Sequence, residues 1–273
     1  MSKRSFARSA ASLAIATTTL CATLGFSAAA NAAPTAMAPG SVVAGKTIGE
    51  WTAAWWQWAF SLGGATTTPP TNPFLDDGSF GAQVAQAAAN SGQGGPVFFL
   101  AGTTVLNPTL PVTRSFDVPA DKYLLLPMIN YECSDLEGNG NNYGDLRKCA
   151  TTDGIDAVDS LTATGVSLPT NNLYAFREPT PANTTFSFTV APDNAFGLNP
   201  GTANLAVADG YYLMLQPIGL GQHTITYGGG ISSMPFFTAV QLTMNGVPEP
   251  ASLSLLAVAL LGIGLAGGRF RRV

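Results

Sequence analysis

The chain has 273 residues, 10% of them charged and 46% hydrophobic, and that charged share lies far below the roughly 25% of an average soluble protein. Of its 12 basic residues, Lys3, Arg4 and Arg8 lie at the start and Arg269, Arg271 and Arg272 at the end, which leaves six against 15 acidic residues in between once Glu249 near the end is set aside. So acidic a middle repels phosphate backbones and argues against nucleic acid as a partner, while few charges with abundant Thr, Ser, Asn and Gly suit an extracellular β protein better than a cytosolic enzyme.

Residues 1–32 carry the three parts of a secretory leader. A basic start is followed by an apolar middle from Ala10 to about Phe26 and a small-residue site at Ala30-Asn31-Ala32. Removal before Ala33 is expected, and Cys21, preceded by Leu20 rather than by a small residue, leaves with the leader. Residues 33–246 then form the expected extracytoplasmic domain, and 247–273 a separate tail.

The domain opens with a helix. Thr47 and Glu50 have the spacing of a capping box, and Ile48, Trp51, Trp55, Trp58 and Leu62 follow at steps of three and four, on one face. All four tryptophans lie here, with Trp56 and Phe60 flanking the stripe. Packing against a sheet is expected for this face, and Trp56 is its best candidate for exposure; the alternative use of such rings is a sugar-stacking platform. Gly63-Gly64 ends the helix.

A long Thr-, Pro-, Gly- and Asn-rich stretch, 66–95, follows with one short helical segment at 82–89. Strand patterns then recur at 96–101, 112–118, 122–129, 172–177, 184–190, 210–216, 223–227 and 236–244, separated by Gly, Pro and Asn. Short strands at this spacing predict a mainly β domain, an antiparallel β-sandwich joined by the Trp-rich helix. Gly228-Gly229-Gly230, with no Lys-Ser/Thr after it, reads as a turn rather than a phosphate loop.

Cys133 and Cys149 remain after removal of the leader, and an even count in an oxidising compartment predicts a disulfide between them. A zinc site would need more ligands than two cysteines and the sole histidine supply. Between the cysteines, Asp135, Glu137, Asn139, Gly140 and Asn141 partly match a calcium loop, but Leu146 stands where a bidentate Glu is required; a solvated Gly/Asn turn is the plainer reading. His223 is the only ready general base, with no G-x-S-x-G elbow beside it. Asp76-Asp77 and the set Asp153, Asp156 and Asp159 could supply paired carboxylates, whose separation in space the sequence leaves open. No catalytic residue, metal or cofactor is assigned.

At the far end Val247-Pro248-Glu249-Pro250 precedes an apolar stretch, 251–268, and then Arg269-Phe270-Arg271-Arg272. Eighteen residues at 1.5 Å each give a helix of about 27 Å, enough to cross the hydrocarbon core, and the basic cluster would hold the cytoplasmic side. This order resembles the PEP-CTERM sorting signal. The resemblance implies that the chain is the substrate of an exosortase, a membrane-embedded, cysteine-dependent transpeptidase-like enzyme, with Val247, Pro248, Glu249 and Pro250 as the sorting motif. It further implies a link to exopolysaccharide and biofilm.

The central part is also similar to a group of exported bacterial proteins of unassigned function, through Gly45-Lys46-Thr47, the Trp-rich helix, residues 72–76, residues 95–102 and Gly221-Gln222-His223-Thr224. The expectation is therefore an exported protein that passes through an inner-membrane intermediate to the cell surface or medium. There it would be a structural or binding component of exopolysaccharide, the alternatives being a secreted glycan hydrolase and a calcium-stabilised adhesion module.

Overall fold

The structure, a computed structural model, describes residues 32–234 and 236–249. All of the expected leader except Ala32 lies outside the described residues, as do Pro250, the apolar stretch and the arginine cluster. Among the described residues no helix is long and apolar enough to cross a membrane.

Two short strands, β1 (Val42–Val43) and β2 (Lys46–Thr47), form a hairpin. Ala44 and Gly45 both turn at positive φ (47° and 83°), the two-residue geometry whose twist matches its strands. Thr47 then caps α1 (Ile48–Ser61): its Oγ1 accepts the Glu50 N–H at 3.2 Å, and Glu50 Oε2 accepts the Thr47 N–H at 2.7 Å. The capping box expected from the sequence is present, and these bonds hold the Glu50 carboxyl below its ordinary range.

Two four-stranded sheets follow. One has the order β3 (Val97–Phe99), β5 (Tyr123–Ser134), β8 (Gly201–Leu215), β7 (Phe186–Val190); the other runs β4 (Val112–Pro119), β10 (Phe236–Val247), β9 (Gly221–Ile231), β6 (Ser160–Thr164). The fold is mainly β, as expected, but each sheet is mixed: β3 runs parallel to β5, and β4 parallel to β10. The expectation of purely antiparallel sheets is corrected by these two pairings, which join strands separated by a crossover rather than a hairpin.

Side chains alternate across a strand, and that alternation assigns the layers. Leu124, Leu126 and Met128 of β5 with Leu213 and Leu215 of β8 share one apolar cluster with Ile225, Tyr227, Val240, Leu242 and Met244 of the second sheet. Leu125, Tyr212 and Met214, on the opposite parity, join the tryptophans of α1. One sheet is thus covered by α1 on one face and by the other sheet on the second.

The aromatic stripe of α1 is core. Trp55 is 1% exposed and sits edge-on to Trp56, Trp58, Phe74 and Tyr212 at 5.0–6.4 Å. Trp56, expected to be the most exposed of the four, is 8% exposed, because Phe60 stacks on it and Phe196 leans over it.

Three local expectations change. The 82–89 segment is α2 (Ala82–Asn90), as expected, but 172–177 is a 3-10 turn, Leu173–Phe176, since Asn172 Oδ1 accepts the Tyr174 N–H and curls the chain. Gly228-Gly229-Gly230 lies inside β9, not in a turn; a Cβ on Gly229 would stand 2.8 Å from Ile129 of the facing sheet. The third is α3 (Tyr143–Lys148), unforeseen, capped by Asn142 and leading into the Cys133–Cys149 disulfide. That disulfide joins β5 to the end of α3 and packs with Leu146, Ala150 and Val207.

Candidate functional site

Burying a polar group without a partner costs about 1–3 kcal/mol, so such groups mark places where something other than stability shaped the chain. Among the described residues four buried side-chain atoms lack a partner: Trp56 Nε1, Glu132 Oε1, Arg114 Nη2 and His223 Nε2. The first two line one cleft of about 290 Å³.

Four segments build it. The flank of α1 supplies Trp56 and Phe60, the end of β5 supplies Asn130, Tyr131 and Glu132, and two loops contribute Glu137 with Asn139 and Phe196 with Leu198. Both loops are held by short polar side chains. Asn139 Oδ1 accepts the Ser134 N–H at 3.0 Å, Ser134 Oγ donates to Glu137 Oε2 at 2.8 Å, and Asp135 Oδ1 accepts the N–H groups of Asn204 and Leu205. Across the cleft, Asn194 Oδ1 takes the N–H groups of Phe196 and Leu198. The disulfide fastens Cys133, the residue after Glu132, to Cys149.

Glu132 is 7% exposed. Burial above all, then a hydrogen bond to Glu137 and the charge on that carboxylate, push its carboxyl up to about 10. At neutral pH Glu132 is therefore a neutral acid beside the Glu137 carboxylate. The fully buried Tyr212 accepts from Asn130 Nδ2 at 3.0 Å through its hydroxyl, and burial pushes its ionisation far up.

The indole of Trp56 stands apart from the other three. Trp51, Trp55 and Trp58 donate their Nε1–H to the carbonyls of Val43, Leu100 and Ser91 at 2.8, 3.0 and 2.8 Å. Trp56 Nε1 lies near enough to the Tyr212 hydroxyl to influence it, yet meets no acceptor in hydrogen-bonding geometry. The cleft thus offers an N–H donor, a neutral carboxyl able to donate or accept, two amides, one carboxylate and an apolar wall.

The residues singled out in the sequence are otherwise employed. Val247 closes β10 opposite Pro119, Pro248 is exposed, and Glu249 pairs with Lys122 at 3.0 Å; the fourth residue of the motif, Pro250, lies outside the described residues. Asp135, Glu137 and Asn139 of the calcium-like run are turned to the chain's own N–H and hydroxyl groups. Among the described residues no group of three His, Cys, Asp or Glu could hold a metal ion.

His223 is 7% exposed and shares strand parity with Ile225 and Tyr227, so it faces the space between the sheets while Glu132 lies among the residues facing α1. Asp76 and Asp77 accept the N–H groups of Gly78 and Ser79. Asp153 pairs with Lys148, Asp156 with Arg177, and Asp159 accepts the Ser232 N–H; the structure does not bring them together. Arg177 bridges Asp156 and the buried Asp209, and those carboxylates raise its already high ionisation further.

Neither Glu132 nor Glu137 was singled out as a pair by sequence reasoning. No local signal marks Glu132 for burial, since glutamate is almost never fully buried and Asn130 and Tyr131 part it from the apolar run. Comparison of the chain with models of protein families, with curated proteins and with solved structures gives no match.

Proposed function

We propose that this chain is an exported protein, delivered through its Pro248-Glu249-Pro250 tail by an exosortase, whose β-sandwich domain serves as a binding component of the exopolysaccharide around the cell. The observation that carries the binding role is the cleft at Glu132, where two unpartnered polar atoms and an aromatic wall meet on a frame braced by a disulfide. Groups prepared for hydrogen bonding next to an apolar surface are what a binding site requires. The sorting role draws support from the join between domain and tail. β10 ends on Val247, the first residue of the motif, and the next, Pro248, is exposed. The Lys122–Glu249 ion pair, its side chains 20% and 30% exposed, is the one ion pair seen on the motif among the described residues.

Hydrolysis of glycans is the second reading, and Glu132 favours it, being a protonated acid beside a carboxylate. Against it stands the closeness of the two carboxyls, near enough for Glu137 to help hold the Glu132 proton, because glycosidase carboxyls stand about 5–10 Å apart, on either side of the bond they cut. Incubating the exported protein with the matrix of its own cells separates the two. Retention on the polysaccharide without new reducing ends is expected; release of reducing ends that stops in a Glu132→Gln variant would replace binding by hydrolysis.

A further inference from the structure

We infer that the cleft between α1 and the loop following β5 binds a neutral, hydroxyl-rich saccharide, whose hydroxyls engage the free Trp56 Nε1–H and Glu132 Oε1. This rests on the proposal that the domain binds polysaccharide, and adds where it does so and which chemical class it accepts.

The argument is one of matching donors to acceptors. Trp56 and Glu132 are 8% and 7% exposed, so each is buried deeply enough that a missing partner is costly, and both line the same cleft. An indole N–H only donates; a protonated carboxyl donates or accepts according to which oxygen holds its proton. A ligand must therefore offer an acceptor to one group and either function to the other. Hydroxyls do both.

A carboxylate or sulfate would answer Trp56 but would meet the negative charge on Glu137, and among the described residues no basic one lines the cleft to offset it. An ammonium would answer Glu137 yet leave the indole unpaired, since it has no acceptor. Phe60, Phe196 and Leu198 supply an apolar wall, suited to the C–H face that a sugar ring presents between its hydroxyls. Asn130 and Asn139 at the rim add amide groups for further hydroxyls.

The four indole N–H groups give a direct test. The full exported protein, labelled with 15N, shows four indole signals, and the one missing from a Trp56→Phe variant belongs to Trp56. Titration with soluble cello-, malto- and manno-hexaose is expected to move that signal for at least one of the three, while those of Trp51, Trp55 and Trp58, held by carbonyls, stay in place. Oligogalacturonate and chitosan oligomers, anionic and cationic, should leave all four unmoved. Trp56→Phe and Glu132→Leu should each weaken binding roughly three- to tenfold, the worth of one hydrogen bond, with the wild-type signal making the result independent of how either variant folds. Binding of a neutral hexaose with the Trp56 signal unmoved overturns this inference and leaves the proposed binding role standing. A response to the charged oligomers alone also overturns it, and failure of the hexaoses and of the cell's own polysaccharide to bind overturns both.

Discussion

Replacing Glu132 by Gln should make the protein more stable in alkali than the wild type, and the size of the gain follows from the burial of its carboxyl. In the unfolded chain this group ionises near its ordinary 4.5, whereas in the fold burial and Glu137 hold the proton until about 10. Between those limits the folded state keeps a proton that the unfolded state has shed. The stability due to Glu132 is therefore complete below about 4.5 and drains away as pH rises towards about 10. One retained proton gives a slope of about 1.4 kcal/mol per pH unit. Gln keeps the shape and the neutral amide but has no proton to lose, so the difference between variant and wild type should grow by roughly 3 kcal/mol over two pH units inside the window. Urea unfolding of both proteins at a series of pH values measures this directly, every other titrating group being common to both. Parallel profiles would refute the buried, protonated Glu132 carboxyl.

Trp55→Ala removes the ring at the centre of the α1 cluster, 1% exposed, and should cost about 3–5 kcal/mol in chemical unfolding; a variant of normal stability that had lost sugar binding would mean the stripe is a platform and not core. The double variant Cys133→Ala with Cys149→Ala opens a loop of sequence separation 16 and should lose about 3 kcal/mol on the chain-entropy account, seen as a lower unfolding midpoint than that of the oxidised parent. Gly229→Ala places a Cβ 2.8 Å from Ile129, and overpacking between the sheets should cost about 1–3 kcal/mol; an unchanged melting temperature would show that the sheets can part there at no cost.

What could be read from the sequence was local. Thr47 and Glu50 signal the start of α1 because a capping box is decided within four residues, and the stripe from Ile48 to Leu62 is a periodicity of the helix itself. The parallel pairings of β3 with β5 and of β4 with β10 are long-range, and alternation along one strand is the same whichever way its neighbour runs. Gly228-Gly229-Gly230 resembled a turn because glycine signals backbone freedom in general; here the glycines make room for β10, Ser160 and Ile129, a need visible only once two sheets are stacked. Residues 172–177 carry Leu, Tyr and Phe at strand-like density, but Asn172 bonds to the chain two residues on and wins locally. The candidate site was hidden for a related reason. Asn130 interrupts the apolar run that marks β5, so the expected strand stops at residue 129 while the real one continues through Glu132 to Ser134. Glu137 was read within a calcium-like loop, although its hydroxyl donor is Ser134 and its neighbour in space is Glu132.

The most direct check on the account is the mass of the protein recovered from the cell surface or medium, taken with and without reduction and thiol alkylation. The account predicts a chain that starts at Ala33 and ends at or near Pro250, with Cys133 and Cys149 refractory to alkylation until reduced. A chain of all 273 residues recovered from the cytoplasm, with both thiols free, would contradict it.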